Sequence, residues 1–237
     1  MEEKEALRYL VGLGEEKEPI IVLDQGTFSR VSLTRVTVPT ASTLNISTLT
    51  GLIDYVKSNV DEIDTELLIH VKSHKEVNVY GPLNVDRERE LFINVQAILP
   101  SNISYERFLD TEQFNIMLQS AFTDTGDKDI LLKYTGLIKD EAVKTTGDDG
   151  ISQAVTIKTG VASVGQAVIP NPVTLAPYRS FTEIEQPLSK FIFRMQDGPR
   201  AALFEADGGA WRNEAMYRIK LYLEDNLKEL DFVNIIS

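Results

Sequence analysis

The stretch from Tyr178 to Leu230 constrains the fold more than any other part of the chain. Its segment LSKFIFRM alternates: Phe191, Phe193 and Met195 share one face of a strand, and Lys190, Ile192 and Arg194 the other. Asp197-Gly198 signals a reversal into a second strand, AALFEA. Beyond Gly208-Gly209 the period changes. Met216, Ile219, Leu223, Leu227 and Leu230 recur at helical spacing, leaving Arg212, Glu214, Glu224, Asp225, Lys228 and Glu229 for the wet side. A sheet face and a helix stripe bury each other, so these pieces form one packed unit. YRSFTEIEQ, just ahead, reads as a further strand on which Glu183 and Glu185 share a face.

The remaining segments come in runs. Residues 2–11 predict a short helix ended by Gly12 and Gly14; residues 19–24 and 31–38 predict strands; residues 39–47 read as a connection. Ser47 or Thr48 caps a helix carrying Leu49, Leu52, Ile53 and Val56. LLIHV, VNVYG and LFINVQAI follow as a meander of three strands. Asp110, three residues before Gln113, opens a helix whose stripe is Phe114, Met117, Leu118 and Ala121. A second helix follows, with Ile130, Tyr134, Leu137, Ile138 and Glu141 at helical spacing; residues 146–150 read as a polar loop, and 151–175 as one or two strands. Segregated runs of helices and strands predict an α+β fold with antiparallel sheets, flanking helices and the last amphipathic helix packed on a sheet. We expect one domain over residues 1–237, with a boundary near 144–150 as the alternative.

Charge and composition narrow the function. The formal net charge of −12 repels polyphosphate at long range, so general nucleic-acid binding is not expected; a small basic pocket for one nucleotide stays compatible. With no cysteine, disulfides and thiolate chemistry are excluded. No apolar run approaches the roughly 20 residues of a membrane span, and no signal-like segment opens the chain, so a soluble, unsecreted protein is expected.

Catalytic signatures are missing. His70 and His74, the only histidines, lie at a strand end and its turn, outside any HExxH motif, so no metal or other cofactor is expected. DTGDKD lacks the glycine and glutamate of a calcium loop, and Asp127 fits a helix cap. Glu183 with Glu185 is the one carboxylate pair with the form of a hydrolase site, and an exposed strand face explains it equally well. Binding has more support. Tyr178, Arg179, Phe181, Lys190, Arg194 and Arg200 bring cations and aromatics together, a combination that stacks on bases and clamps phosphates. Phe232, Val233, Ile235 and Ile236 form an apolar tail that either closes its own sheet or docks on a second copy; we favour the second.

The order of IIVLDQGTFSRVSL, TGLIDYVKSN, LLIHVKSHKEVNVYG, TEQFNIMLQSAF and FTEIEQPLSKFIFRM resembles the YfdQ-like proteins of tailed phages and prophages. The resemblance implies a phage-encoded protein acting in the cytoplasm of the bacterial host. It carries no assigned activity and no site residues. The combined expectation is a non-catalytic accessory protein that binds a host or defence component or sequesters a nucleotide-like ligand. The alternatives are a self-associating virion assembly protein and a carboxylate-dependent hydrolase.

Overall fold

The computed structural model describes residues 2–15, 20–23, 26–29, 40–85, 87–136, 143–148, 153–159, 163–167, 169–196 and 200–237. The chain divides into two compact units at Ala41–Ser42. The first contains helix α1 (Glu2–Glu15), which continues through Gly12 and Gly14, and an antiparallel pair, β1 (Ile20–Leu23) with β2 (Gly26–Ser29). The strand expected over 31–38 lies outside the described residues.

The second unit is built on two larger sheets. In the first, the meander β4 (Leu67–Ser73), β5 (Glu76–Leu83) and β6 (Arg89–Gln96) forms as its period-two pattern predicts. Its edges differ from expectation. Residues read as a connection supply β3 (Leu44–Ile46), parallel to β6, and the C-terminal tail supplies β14 (Val233–Ile236), parallel to β4. Leu67, Ile69, Val71, Val77, Val79, Ile93 and Val95 line one face and are essentially fully buried. They pack in one cluster with Leu49, Leu52, Ile53 and Val56 of α2 (Leu49–Ser58) and Ile219, Leu223 and Leu227 of α5 (Trp211–Leu227). Thr48 caps α2, its Oγ1 accepting from Gly51 N at 3.1 Å.

The second sheet runs β11 (Val173–Leu175), β12 (Ser189–Gln196), β13 (Arg200–Glu205), β7 (Leu109–Asp110), all antiparallel. Phe191, Phe193 and Met195 of β12 point inward as their alternation requires, with Ala201 and Leu203 of β13 beside them. Helix α3 (Thr111–Ala121) covers them with the predicted stripe, capped by Asp110 Oδ1 accepting from Gln113 N at 2.8 Å. Helix α4 (Lys128–Gly136) buries Leu131 and Tyr134, whereas Ile130 of the expected stripe is exposed; Leu137, Ile138 and Glu141 lie outside the described residues. Asp127 precedes α4, but its carboxylate accepts from Thr174 N at 2.7 Å and so ties the helix start to β11. A third sheet, β8 (Val143–Asp148), β9 (Gln153–Thr159) and β10 (Ser163–Ala167), reaches into the expected polar loop and brings the strands of 151–175 to three, with β11. Sheets with helices in separate runs make the fold α+β, with α5 packed on the first large sheet.

The expected strand YRSFTEIEQ does not form. Residues 178–188 are irregular because side chains take up the backbone groups that a sheet ladder would use. Gln186 Oε1 accepts from the backbone N–H groups of Arg179 (2.9 Å) and Ser180 (3.1 Å); its Nε2 donates to the carbonyls of Phe181 (2.8 Å) and Ile184 (3.2 Å). Glu183 and Glu185 therefore share no strand face. Glu183 Oε1 accepts from Leu49 N at 2.7 Å, placing a negative charge at the N-terminus of α2, and Glu185, largely exposed, meets Arg218 at 3.1 Å. The loop bridges the two cores. Phe181 and Ile184 enter the cluster of the first sheet, and Arg179 reaches under the second.

Candidate functional site

Arg179 is the residue at which sequence expectation and structure meet. It is 6% exposed. A buried guanidinium persists only where its charge and donors are matched. Its Nη1 donates to Glu205 Oε1 at 2.6 Å, its Nη2 donates to Ser189 Oγ, and its Cζ stands 3.8 Å from the ring centre of Trp211 and 5.6 Å from that of Phe191. Burial lowers its pKa, opposed by Tyr105, Glu205 and Asp207.

Three further groups converge here. His74, in the β4–β5 turn, sets its ring edge-on to Trp211 at 4.8 Å, and its carbonyl accepts from Ser180 Oγ at 2.6 Å. Arg212 holds its Cζ 4.9 Å from the Trp211 ring centre. Tyr105 stacks on Phe191 at 5.4 Å, and burial, chiefly, pushes its hydroxyl up to about 12.

Beside this cluster opens a cleft of about 610 Å³, within the roughly 300–1,000 Å³ of small-molecule sites. Ser189, Lys190, Asp207, Trp211, Glu214 and the half-exposed Leu188 line it. One residue of its wall, Trp211, holds a donor that the fold leaves unused. Its Nε1 is buried with no acceptor, whereas Arg179 and Tyr105 lie outside the lining and interact with each other. A buried N–H without a partner costs about 1–3 kcal/mol, which an acceptor arriving from the cleft would offset.

The other expected ligand residues are distributed around this point. Phe181 is core, packed in the first sheet's cluster, and Tyr178 is half-buried next to Arg179 in the chain. Lys190 is exposed on the outer face of β12 at the cleft rim. Arg194 shares that face about 13 Å along the strand, with Nη1 donating to Phe193 O, and Arg200 Nη2 donates to Phe108 O at 2.9 Å. Lys190 thus borders the cleft and Arg179 lies buried against Trp211 of its wall, while Arg194 and Arg200 stand apart from it. Sequence reading assigned Arg212 to the wet side and gave Trp211 no part. The available signal was a lone tryptophan directly after Gly208-Gly209 at a helix start.

The acidic residues serve local ends. Asp124 accepts from buried Lys128 at 2.6 Å, and among the described residues no three His, Asp or Glu side chains form a metal-holding group. The apolar tail closes its own sheet: Phe232, Val233 and Ile235 are half-buried on the first core, Leu67 N donates to Phe232 O at 2.8 Å, and Ile236 is exposed. Among the described residues no helix is long and apolar enough to cross a membrane.

Comparison with family models, curated proteins and solved structures finds no match to this chain. The functional reading therefore rests on the site itself.

His74 gives the site a pH signature. Burial first, then the charges of Arg212, Lys75 and Arg179, hold its imidazole below the ordinary 6.5. The folded state thus binds fewer protons than the unfolded one as pH falls through 6.5. The neutral ring's contribution is complete above that value and is lost on the way down to the folded pKa. Urea unfolding at pH 7 and pH 5 should show wild type losing more stability than His74→Gln. Equal losses in the two proteins would remove His74 from the account.

Proposed function

We propose that the protein is a non-catalytic accessory binding protein that holds a small ligand in the Trp211 cleft. The observation that carries this reading is Trp211 Nε1, a buried donor without an acceptor in a residue that lines a cleft of ligand size. Glu183 and Glu185, the carboxylates with hydrolase form, are committed to α2 and Arg218. Resemblance in segment order to the YfdQ-like proteins supports a phage or prophage origin and action in the host cytoplasm; a host or defence component is the alternative partner. Self-association through Phe232, Val233, Ile235 and Ile236, as in a virion assembly protein, gains no support from a tail that pairs with β4 of its own chain.

Leu188 supplies the test. It is 53% exposed and lines the cleft, so Leu188→Trp fills the space while changing stability by no more than about 0.5 kcal/mol. Native mass spectrometry of purified wild type should show a retained small molecule that Leu188→Trp loses. A ligand held equally by both proteins, or no ligand in wild type, would overturn the proposal.

A further inference from the structure

We infer that the β4–β5 turn is a latch opened by acid: protonation of His74 releases the turn from the start of α5 and uncovers Trp211.

The contact is small and its hinge is in place. His74 and Lys75 form the turn. The His74 ring stands edge-on to Trp211 at 4.8 Å, and its carbonyl accepts from Ser180 Oγ at 2.6 Å. Just behind the turn, the pairing of β4 with β5 shifts register between Val71 and Ser73. A ladder disrupted at that point lets the turn move while the strands behind it stay paired. His74 is half-buried, so a proton reaches it without prior unfolding.

Charge supplies the force. Trp211 already carries two guanidinium groups, Arg179 Cζ at 3.8 Å and Arg212 Cζ at 4.9 Å from its ring centre. An imidazolium at the same ring would compete with both for one quadrupole, and repel both. The charges that act on His74 are all positive: Arg212 of α5, Lys75 of its own turn and Arg179 of the loop. Carboxylates on the neighbouring elements are engaged elsewhere. Glu76 in β5 accepts from Lys72, Asn78 and Asn94, and Glu205 in β13 pairs with Arg179. Asp207 Oδ1 accepts from Gly209 N, and Glu214 in α5 pairs with Arg218. A proton on His74 therefore adds a fourth cation to a group of three.

Linkage fixes the direction. Burial first, then those three cations, hold the imidazole below 6.5 while the turn is closed; released into water, it returns to that value. The proton thus binds the open form more tightly. The closed form prevails above 6.5, and opening gains as pH falls through the closed-state pKa. Trp211 also lines the cleft, but the latch stands whether or not the cleft holds a ligand.

Trp211 is the only tryptophan and His70 the only other histidine, so the full chain carries its own probe and its own control. Intrinsic fluorescence and far-UV circular dichroism, followed from pH 8 to pH 5, test the latch. Wild type and His70→Gln should show emission moving to longer wavelength in one reversible step with a midpoint below 6.5, the dichroism unchanged. His74→Gln should hold its emission constant. Lys75→Gln, on an exposed side chain, removes one repelling cation and should move the midpoint up towards 6.5, a shift that a purely structural role for the turn does not produce. Constant emission in wild type, quenching without a wavelength shift, a shift that survives in His74→Gln, or one that coincides with loss of dichroism would each overturn the latch. Should His74→Gln fail to fold, the Lys75→Gln midpoint decides alone, and an unmoved midpoint overturns the latch.

Discussion

Arg179→Leu should destabilise the protein by about 3–5 kcal/mol, read by urea unfolding at neutral pH. The reason is what the leucine leaves behind. Glu205 is only partly exposed, its side chain 29% accessible, and the guanidinium is its one ion-pair partner among the described residues. Removing that partner strands a carboxylate in a poorly solvated place, and Ser189 Oγ, in a buried residue, loses its donor as well. The stack on Trp211, at 3.8 Å, goes too, and a desolvated cation–π contact is worth about 2 kcal/mol. Arg179→Lys separates the contributions. An ammonium preserves the charge opposite Glu205 but cannot present two parallel donors and a flat face at once. It should recover part of the loss. The double variant Arg179→Leu with Glu205→Leu should be less destabilised than the sum of its single changes, since no carboxylate is then stranded. A single Arg179→Leu variant within 1 kcal/mol of wild type would show that the buried pair contributes little.

That arginine also shows where sequence reasoning stops. The alternation of LSKFIFRM and the stripes of α2 and α3 were legible because each is local: neighbours in sequence decide which face is apolar, and Thr48 and Asp110 cap the residues just beyond them. The parallel edges β3 and β14 were not, since their partners lie about 50 and 165 residues away along the chain, and a short apolar run carries no mark of what it pairs with. TEIEQ alternates like a strand, yet Gln186 supplies the hydrogen bonds that a neighbouring strand would have given. In the site, Arg179 was picked out for being a cation beside aromatics, which is the right chemistry. Its burial was not foreseeable, because Glu205, Ser189, Trp211 and His74 come from four different elements or turns. A cluster assembled across that much chain is visible only once the sheets are in place.

The same loop carries the second large effect. Gln186→Leu should cost about 3 kcal/mol or more, since a residue of similar volume that cannot hydrogen-bond leaves two amide N–H groups and two carbonyls of a buried turn without partners. The loss is not confined to four bonds. Arg179 and Ser180, whose N–H groups Gln186 holds, reach towards the second sheet's core and the β4–β5 turn, while Phe181 and Ile184, whose carbonyls it holds, are anchored in the first sheet's cluster. One amide thus fixes how the two cores are joined. Hydrogen exchange at the Arg179 and Ser180 amides should accelerate far more than exchange within α3. Gln186→Glu distinguishes the two halves of the device. It keeps the acceptor for both N–H groups, but when ionised it loses the donors and places a charge in a site 4% exposed. Burial raises that carboxyl's folded pKa above its unfolded value, so the protonated form fits best at low pH and stability relative to wild type is lost as pH rises through the folded pKa. A Gln186→Glu deficit that stays constant from pH 4 to pH 8 would mean the side chain is open to water, and the loop would then need another explanation for its irregular path.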